Sequence, residues 1–352
     1  MSRRKRGSTI KKILWSVVLF LAVTAGIGAF LFYREFLAPN IRIEKPKQPF
    51  LYIPTGADFE QVVKILGEQN LLVDEKSFRW TSERMKYVNQ IKPGKYLLKP
   101  HMSNKALITL LRSGQQTPVQ VTFNNIRTKD QLAQKVSEQI EASTLAIMHL
   151  MDDPDYTKKL GFTPDNILAL FIPDTYEFLW NTSPDSFIRR MKKEYDKFWT
   201  DSIRQKAKNI GFKPAEISVI ASIVQQETRK ENEKSLIAGV YINRYKKGWR
   251  LEADPTLVFA VGDYSINRVL KIYKEIDSPY NTYMYGGLPP GPICLPTMAS
   301  INAVLNYTKH NYMYFCAKDD FSGYHSYAAT YDQHLVNARR FQKALDKRGI
   351  KS

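Results

Sequence analysis

Pro214-Ala-Glu-Ile-Ser-Val-Ile-Ala-Ser-Ile-Val-Gln-Gln-Glu-Thr228 reads as a single helix with a carboxylate close to its end. Ile220, Ile223 and Val224 lie seven, four and three residues before Glu227, so the four share one helical face. Gln225, Gln226 and Arg229 project elsewhere. A Glu on an apolar face is costly to ionise, and desolvation raises its pKa and keeps part of it protonated near neutrality. A general acid starts from that state. A helix-end Glu whose apolar stripe has already run out into solvent fits the same periodicity.

Downstream, Glu231 and Glu233 precede a helix predicted over 236–245, which stops at Lys246-Lys247-Gly248. Leu236, Val240 and Asn243 share a face there, placing an amide among apolar residues. Asp254 stands before Pro255 and is expected to be extended. Asp277-Ser-Pro-Tyr-Asn-Thr-Tyr283 then leads into Gly286-Gly-Leu-Pro-Pro-Gly-Pro-Ile-Cys294. Proline stiffens such a loop and glycine allows it unusual angles. It either presents backbone groups to a ligand or makes a tight structural turn. Thr297 or Ser300 caps a helix running to about Thr308, and a strand is expected over 312–317. Residues 323–327 are expected as a polar loop. His325 within it either bonds a ligand or a catalytic carboxyl, or is ordinary surface. Thr330-Tyr-Asp-Gln333 has capping-box spacing and opens a terminal helix.

Upstream, a strand is expected over 119–123 and helices over 128–139, 143–151 and 183–199. Between the last two, Leu170-Phe-Ile-Pro-Asp-Thr-Tyr-Glu-Phe-Leu-Trp180 is an aromatic run that either lines a groove or plugs the core. Residues 50–115 carry a strand–helix–helix–strand–helix pattern with Asp58 and Ser103 as helix caps, a small α+β module. The remainder, 116–352, reads as a larger mixed α+β domain.

The 352-residue chain begins with a basic segment, residues 1–12, holding Arg3, Arg4, Lys5, Arg6, Lys11 and Lys12 and no acid. Ile13 to Phe32 is an uncharged, mostly apolar run of 20 residues, the length a helix needs to cross a bilayer. It is longer than a signal-peptide core, so 13–33 reads as an uncleaved anchor with the basic side in the cytoplasm and all that follows outside. Residues 34–49, with Pro39, Pro46 and Pro49, read as a linker. The net charge of +18 would fit nucleic acid, but the anchor argues against it and for lipid head groups and cell-wall polymers. Cys294 and Cys316 allow one disulfide or two separate thiols. No CxxC or HExxH occurs and the five His are scattered, so no protein-bound metal is expected.

The chain resembles the YceG-like family of endolytic murein (lytic) transglycosylases. The landmarks are Phe171-Ile-Pro-Asp-Thr-Tyr176, Ala221-Ser-Ile-Val-Gln-Gln-Glu-Thr228, Val240-Tyr-Ile-Asn-Arg244, Leu251-Glu-Ala-Asp-Pro-Thr256, Ser278-Pro-Tyr-Asn-Thr-Tyr283 and Gly287-Leu-Pro-Pro-Gly-Pro-Ile-Cys294, in the family's order. The resemblance implies a LysM-like module at about 50–115. It implies cleavage of the β-1,4 bond between N-acetylmuramic acid and N-acetylglucosamine within glycan strands, leaving 1,6-anhydro ends and needing no cofactor. Peptidoglycan synthases are the implied neighbours. The family's catalytic Glu falls on Glu227. Gln225 stands where members often have a first Glu, so that position supplies no essential carboxylate. Asn243, Asp254, Thr256, Tyr283, Gly287, Leu288, Pro290 and His325 are the candidate substrate contacts. Two other readings stay open. One is a non-catalytic cell-wall scaffold. The other is a hydrolytic muramidase with a second acid among Glu231, Glu233 and Asp254.

Overall fold

The computed structural model describes residues 3–43, 49–266 and 269–349. Its chain divides into two units, residues 1–119 with 177–181, and residues 120–176 with 182–352.

The first unit begins with α1 (Arg3–Phe32), long and apolar enough to cross a membrane; its residues from Ile10 on are exposed. The helix runs on into a π-helical turn, Tyr33–Leu37. Here the structure departs from the expected linker. Asn40 and Ile41 are buried, and the Asn40 amide donates to the Asp74 carbonyl at 2.9 Å and to Asn104 Oδ1 at 2.6 Å. The Glu35 carbonyl accepts from the Thr81 hydroxyl (2.9 Å) and the Asn104 amide (2.8 Å). Residues 34–43 therefore belong to the folded unit, because their backbone acceptors meet buried side-chain donors; 44–48 lie outside the described residues. Then come β1 (Phe50–Ile53), α2 (Phe59–Glu68), α3 (Glu75–Arg84), β2 (Gly94–Leu97) and α4 (Asn104–Ser113). The caps are Asp58, Asp74 and Ser103, each side chain accepting from the backbone three residues on. β1 and β2 pair antiparallel from Phe50↔Leu97 to Ile53↔Gly94. Leu51, Ile53, Leu66, Phe78, Tyr96 and Leu107 form its core.

The second unit carries β3 (Val119–Phe123), α5 (Lys129–Ser137), α6 (Thr144–Asp152), α7 (Pro154–Lys159), β4 (Asp174–Phe178), α8 (Pro184–Phe198) and α9 (Asp201–Ile210). α10 (Pro214–Glu227), α11 (Lys234–Lys246), α12 (Asp254–Val261), α13 (Met298–Leu305), β5 (Tyr314–Ala317), β6 (His325–Ala328) and α14 (Tyr331–Lys347) follow. The aromatic run before β4 plugs the core: Leu170, Phe171 and Ile172 are buried, and Phe171 stacks on Phe187 with centroids 6.0 Å apart. α10 is the central helix, with every residue from Ile217 to Val224 buried, and it packs against α9, α11, α12 and α13.

Two local expectations fail. Asp254 opens α12 and is not extended. Ala253 takes the extended cap position, and Pro255 falls in the first turn, where its missing N–H breaks no bond. Residues 325–328 form β6, not a polar loop, pairing antiparallel with β5 from Ala317↔His325 to Tyr314↔Ala328. Strand β5 needed a partner for its backbone groups, and this segment supplies it.

Candidate active site

Glu227 is the last residue of α10, and Thr228 leaves the helix extended at φ −146°. The final turn is fastened from several sides. Gln225 donates through Nε2 to the Leu295 carbonyl at 3.2 Å, and its Oε1 accepts from the Thr297 N–H (2.6 Å) and the Ser300 hydroxyl (3.0 Å). Gln226 donates to Cys294 Sγ at 3.3 Å, and the Ile293 N–H donates to the Ser222 hydroxyl at 3.0 Å. Beyond the helix, the Thr228 hydroxyl donates to Glu233 Oε2 at 3.1 Å. Gln225 is thus a clamp whose donor and acceptor ends are both used.

The Glu227 carboxyl is half-buried, and the buried Tyr241 hydroxyl of α11 donates to its Oε1. Burial pushes its pKa up to about 7; the Tyr241 hydrogen bond pulls it down, Asp254 repels it upward and Arg244 attracts it downward. Its place at a helix C-terminus also disfavours the anion. Arg244 is buried with its Nε donating to the Met313 carbonyl (2.8 Å) and its Nη1 to the Leu251 carbonyl (2.5 Å). A carboxyl raised toward neutrality, with one oxygen held by Tyr241 and its side chain at a cavity wall, can give a proton and take one back.

Glu227 lines a cavity of about 680 Å³ together with Arg127, Gln226, Arg229, Asp254, Phe259 and Tyr264. Of the candidate substrate contacts, Asp254 alone shares that lining, and Tyr283 donates its hydroxyl to Asp254 Oδ1 at 2.5 Å. Gln226 and Arg229, expected to project elsewhere than Glu227, line the same cavity because the helix ends at Glu227. Thr256 is fully buried, its hydroxyl 2.8 Å from that of Thr282 and donating to the Ala253 carbonyl at 2.7 Å, so it braces the start of α12. Asn243 spends its amide on the carbonyls of His310 (2.8 Å) and Tyr312 (3.0 Å). Gly287, Leu288 and Pro290 are not among the lining residues; Ile293, at the end of their loop, is. The loop is fixed at Gly291, where a Cβ would stand 1.9 Å from the Asp165 carbonyl oxygen.

His325 faces a different cavity, about 500 Å³, with Asn232, Glu233, Tyr312, Tyr324 and Asn337. Its Nδ1 lies 2.9 Å from Glu233 Oε2 and its backbone N–H donates to Oε1 at 2.7 Å. Burial pushes the Glu233 carboxyl up, but these His325 hydrogen bonds outweigh it and hold the group below the usual carboxylate range. Glu231 is exposed and paired with Lys234 at 2.6 Å. Of the three candidate second acids, Asp254 alone lines the Glu227 cavity. Cys294 and Cys316 are both free thiols, and burial pushes Cys294 up to about 11. No cluster of metal-ligating side chains occurs among the described residues.

Sequence reasoning missed Arg127, Tyr241 and Tyr264. Tyr241 sits in the quoted Val240–Arg244 landmark, but in sequence it is one more apolar position of a core helix. Arg127 precedes the Thr128 cap of α5 with no pattern marking it.

A sequence model of the YceG-like family matches residues 51–340. The endolytic murein transglycosylase of Bacillus subtilis (strain 168) is 29% identical over 311 residues, covering 83% of this chain and 85% of that protein. The endolytic murein transglycosylase of Streptococcus pneumoniae (strain R6) is 26% identical over 366 residues; 94% of this chain is covered and 65% of that longer protein. A crystal structure of a YceG-like protein from Listeria monocytogenes, 24% identical, superposes with a TM-score of 0.54 over 82% of this chain and 98% of that one, and shares the fold.

Proposed function

The chain belongs to the YceG-like family, and from that membership and the setting of Glu227 we propose that it is an endolytic peptidoglycan lytic transglycosylase. It cuts the β-1,4 bond between N-acetylmuramic acid and N-acetylglucosamine within a strand and leaves a 1,6-anhydro end. The observation that carries this is one carboxyl, raised to about 7 and held by Tyr241 at a cavity wall.

Protonated Glu227 gives its proton to the glycosidic oxygen as the C1–O bond breaks and positive charge grows at C1 and the ring oxygen. The N-acetyl group stabilises that centre. The Glu227 carboxylate then takes the proton of the muramyl C6 hydroxyl while that oxygen bonds to C1. One proton leaves the acid and one returns, and no water is consumed. The Tyr241 donor steadies the carboxylate between the two steps. A cavity of about 680 Å³ falls within the size of ordinary small-ligand clefts.

The reading extends to the first unit. Its β1-α2-α3-β2-α4 order supports a LysM-like glycan-gripping module. α1 serves as a single-pass anchor in the cytoplasmic membrane, basic residues inside and the chain that follows it outside. Synthases that build the strand are the neighbours such a cut would serve by ending elongation.

One observation favours a second reading: Asp254 lines the same cavity as Glu227 and would be the second carboxylate of a water-using muramidase. Mass spectrometry of peptidoglycan digested by the full chain in detergent, beside Glu227→Gln, separates the two. Anhydro-ended fragments that vanish in the variant are expected. Reducing ends would overturn the transglycosylase in favour of the hydrolase. Cleavage by neither protein, with glycan still bound, would overturn both in favour of a binding scaffold.

A further inference from the structure

The chemistry proposed above handles a neutral glycosidic oxygen and a neutral hydroxyl, yet two guanidinium groups line the same cavity, Arg127 and Arg229. Among the described residues neither forms an ion pair. The charges that chiefly shift Glu227 are those of Asp254 and Arg244.

Arg127 is placed with care. It is half-buried, and its guanidinium carbon lies 4.5 Å from the centroid of the Tyr264 ring, a cation–π contact that holds the fork in one plane. Its main-chain N–H donates to Gln131 Oε1 at 2.9 Å. The preceding carbonyl, of Ile126, accepts from the Leu295 N–H at 2.8 Å, and the Leu295 carbonyl accepts from Gln225 two residues before Glu227. A chain of hydrogen bonds thus ties the backbone beside Arg127 to the helix that carries the acid. Arg229, two residues past Glu227, is exposed and adds a second positive charge to the same wall.

We infer that Arg127, assisted by Arg229, forms an anion subsite that reads a carboxylate on the O3 branch of the muramyl residue being cut. This deepens the proposed function and rests on it. An arginine fork matches a carboxylate through two parallel hydrogen bonds. A muramyl sugar differs from its N-acetylglucosamine neighbour by that branch. An anion subsite therefore also sets which of the two alternating bonds meets Glu227. On a stem-bearing strand the lactyl carboxyl is tied up in the amide bond to the stem, so the carboxylate read there is one on the peptide stem; only a stem-free strand offers the lactyl carboxylate itself.

The test compares four substrates with the full-length wild type and Arg127→Gln: stem-bearing glycan strands, the same strands with carboxylates converted to amides, and amidase-stripped strands carrying free lactyl carboxylates before and after the same conversion. Wild type is expected to lose about tenfold or more in kcat/KM when the stem-bearing substrate is neutralised, the scale of one charge-assisted hydrogen bond. Arg127→Gln is expected to lose as much on the acidic substrate and little more on the neutralised one, while Arg127→Lys retains part of the preference. The same pattern on stripped strands, where amidase has freed the lactyl carboxyl, shows that the subsite accepts a carboxylate at either place; its absence there confines the subsite to the stem. Equal rates for wild type on acidic and neutralised strands, or an equal loss for Arg127→Gln on both, would overturn the subsite. A wild type that yields no anhydro ends from any substrate would overturn the proposed function instead.

Discussion

Tyr241 makes a sharp demand on the chemistry of Glu227. Its hydroxyl stabilises the carboxylate, so Tyr241→Phe removes a donor from the charged form and raises the acid's pKa. With Glu227 as the proposed acid, proton donation needs its protonated form, so kcat/KM of the wild type is expected to fall as pH rises through about 7. In the variant that alkaline limb moves up by about one unit, the size of a hydrogen bond to a charged group. An unmoved limb in a pH–rate profile would rule out the positioning role. The same raised pKa has a thermodynamic side. Between the unfolded value near 4.5 and the folded value near 7, the native state holds the extra proton, so stability declines as pH rises through this window. Glu227→Gln carries no such burden. Its advantage over wild type in thermal unfolding is expected to be near zero at about pH 4 and to grow by up to about 3 kcal/mol at about pH 8. The apolar stripe drew attention to Glu227 but fitted an exposed helix end as well, and it was the family resemblance that singled the residue out as the candidate acid. Tyr241 was not legible, because the bond between the two residues joins two helices and only the packing of α11 on α10 brings the hydroxyl to the carboxyl.

Elements were legible where local chemistry dictates them. The caps at Asp58, Ser103, Thr297 and Thr330 and the run of α10 follow from side chains that bond their own backbone or bury one face. The two misses at this scale share a cause: Asp254 and the 325–328 segment take their conformations from partners far along the chain, Thr282 in one case and β5 in the other. The clamp between α10 and residues 293–300 is equally long-range, and it predicts two stability losses. Gln225→Ala takes the side-chain partner from the Leu295 carbonyl and the Thr297 N–H and is expected to cost about 1–3 kcal/mol in denaturant unfolding. Gly291→Ala drives a methyl into the Asp165 carbonyl, and the backbone must move to admit it. A loss of about 3 kcal/mol is expected for the second unit, with Gly291→Ser no better. A variant as stable as wild type would mean that the loop is not seated as described.

For the whole molecule, the sequence announced a basic tail, an apolar helix and two folded regions, since composition alone changes along the chain. It misplaced the start of the first region, because three prolines and mixed charge look like a tether until Asn40 and Asn104 are seen to meet. Asn104→Leu removes an amide that serves the Glu35 carbonyl, Ser77 and Asn40 together. It is expected to destabilise the first unit by roughly 2–4 kcal/mol and to expose residues 34–43 to hydrogen exchange. Protection unchanged at those amides would show the junction to be held by other means. The Glu35 carbonyl gives that junction a mechanical meaning. With α1 in a bilayer, no slack chain separates membrane from folded unit, so the helix acts as a mast and not a leash. A leashed domain sweeps a volume; one bolted to a mast can only spin and tilt with it. In a bilayer the first unit would then stand at a single height above the lipid.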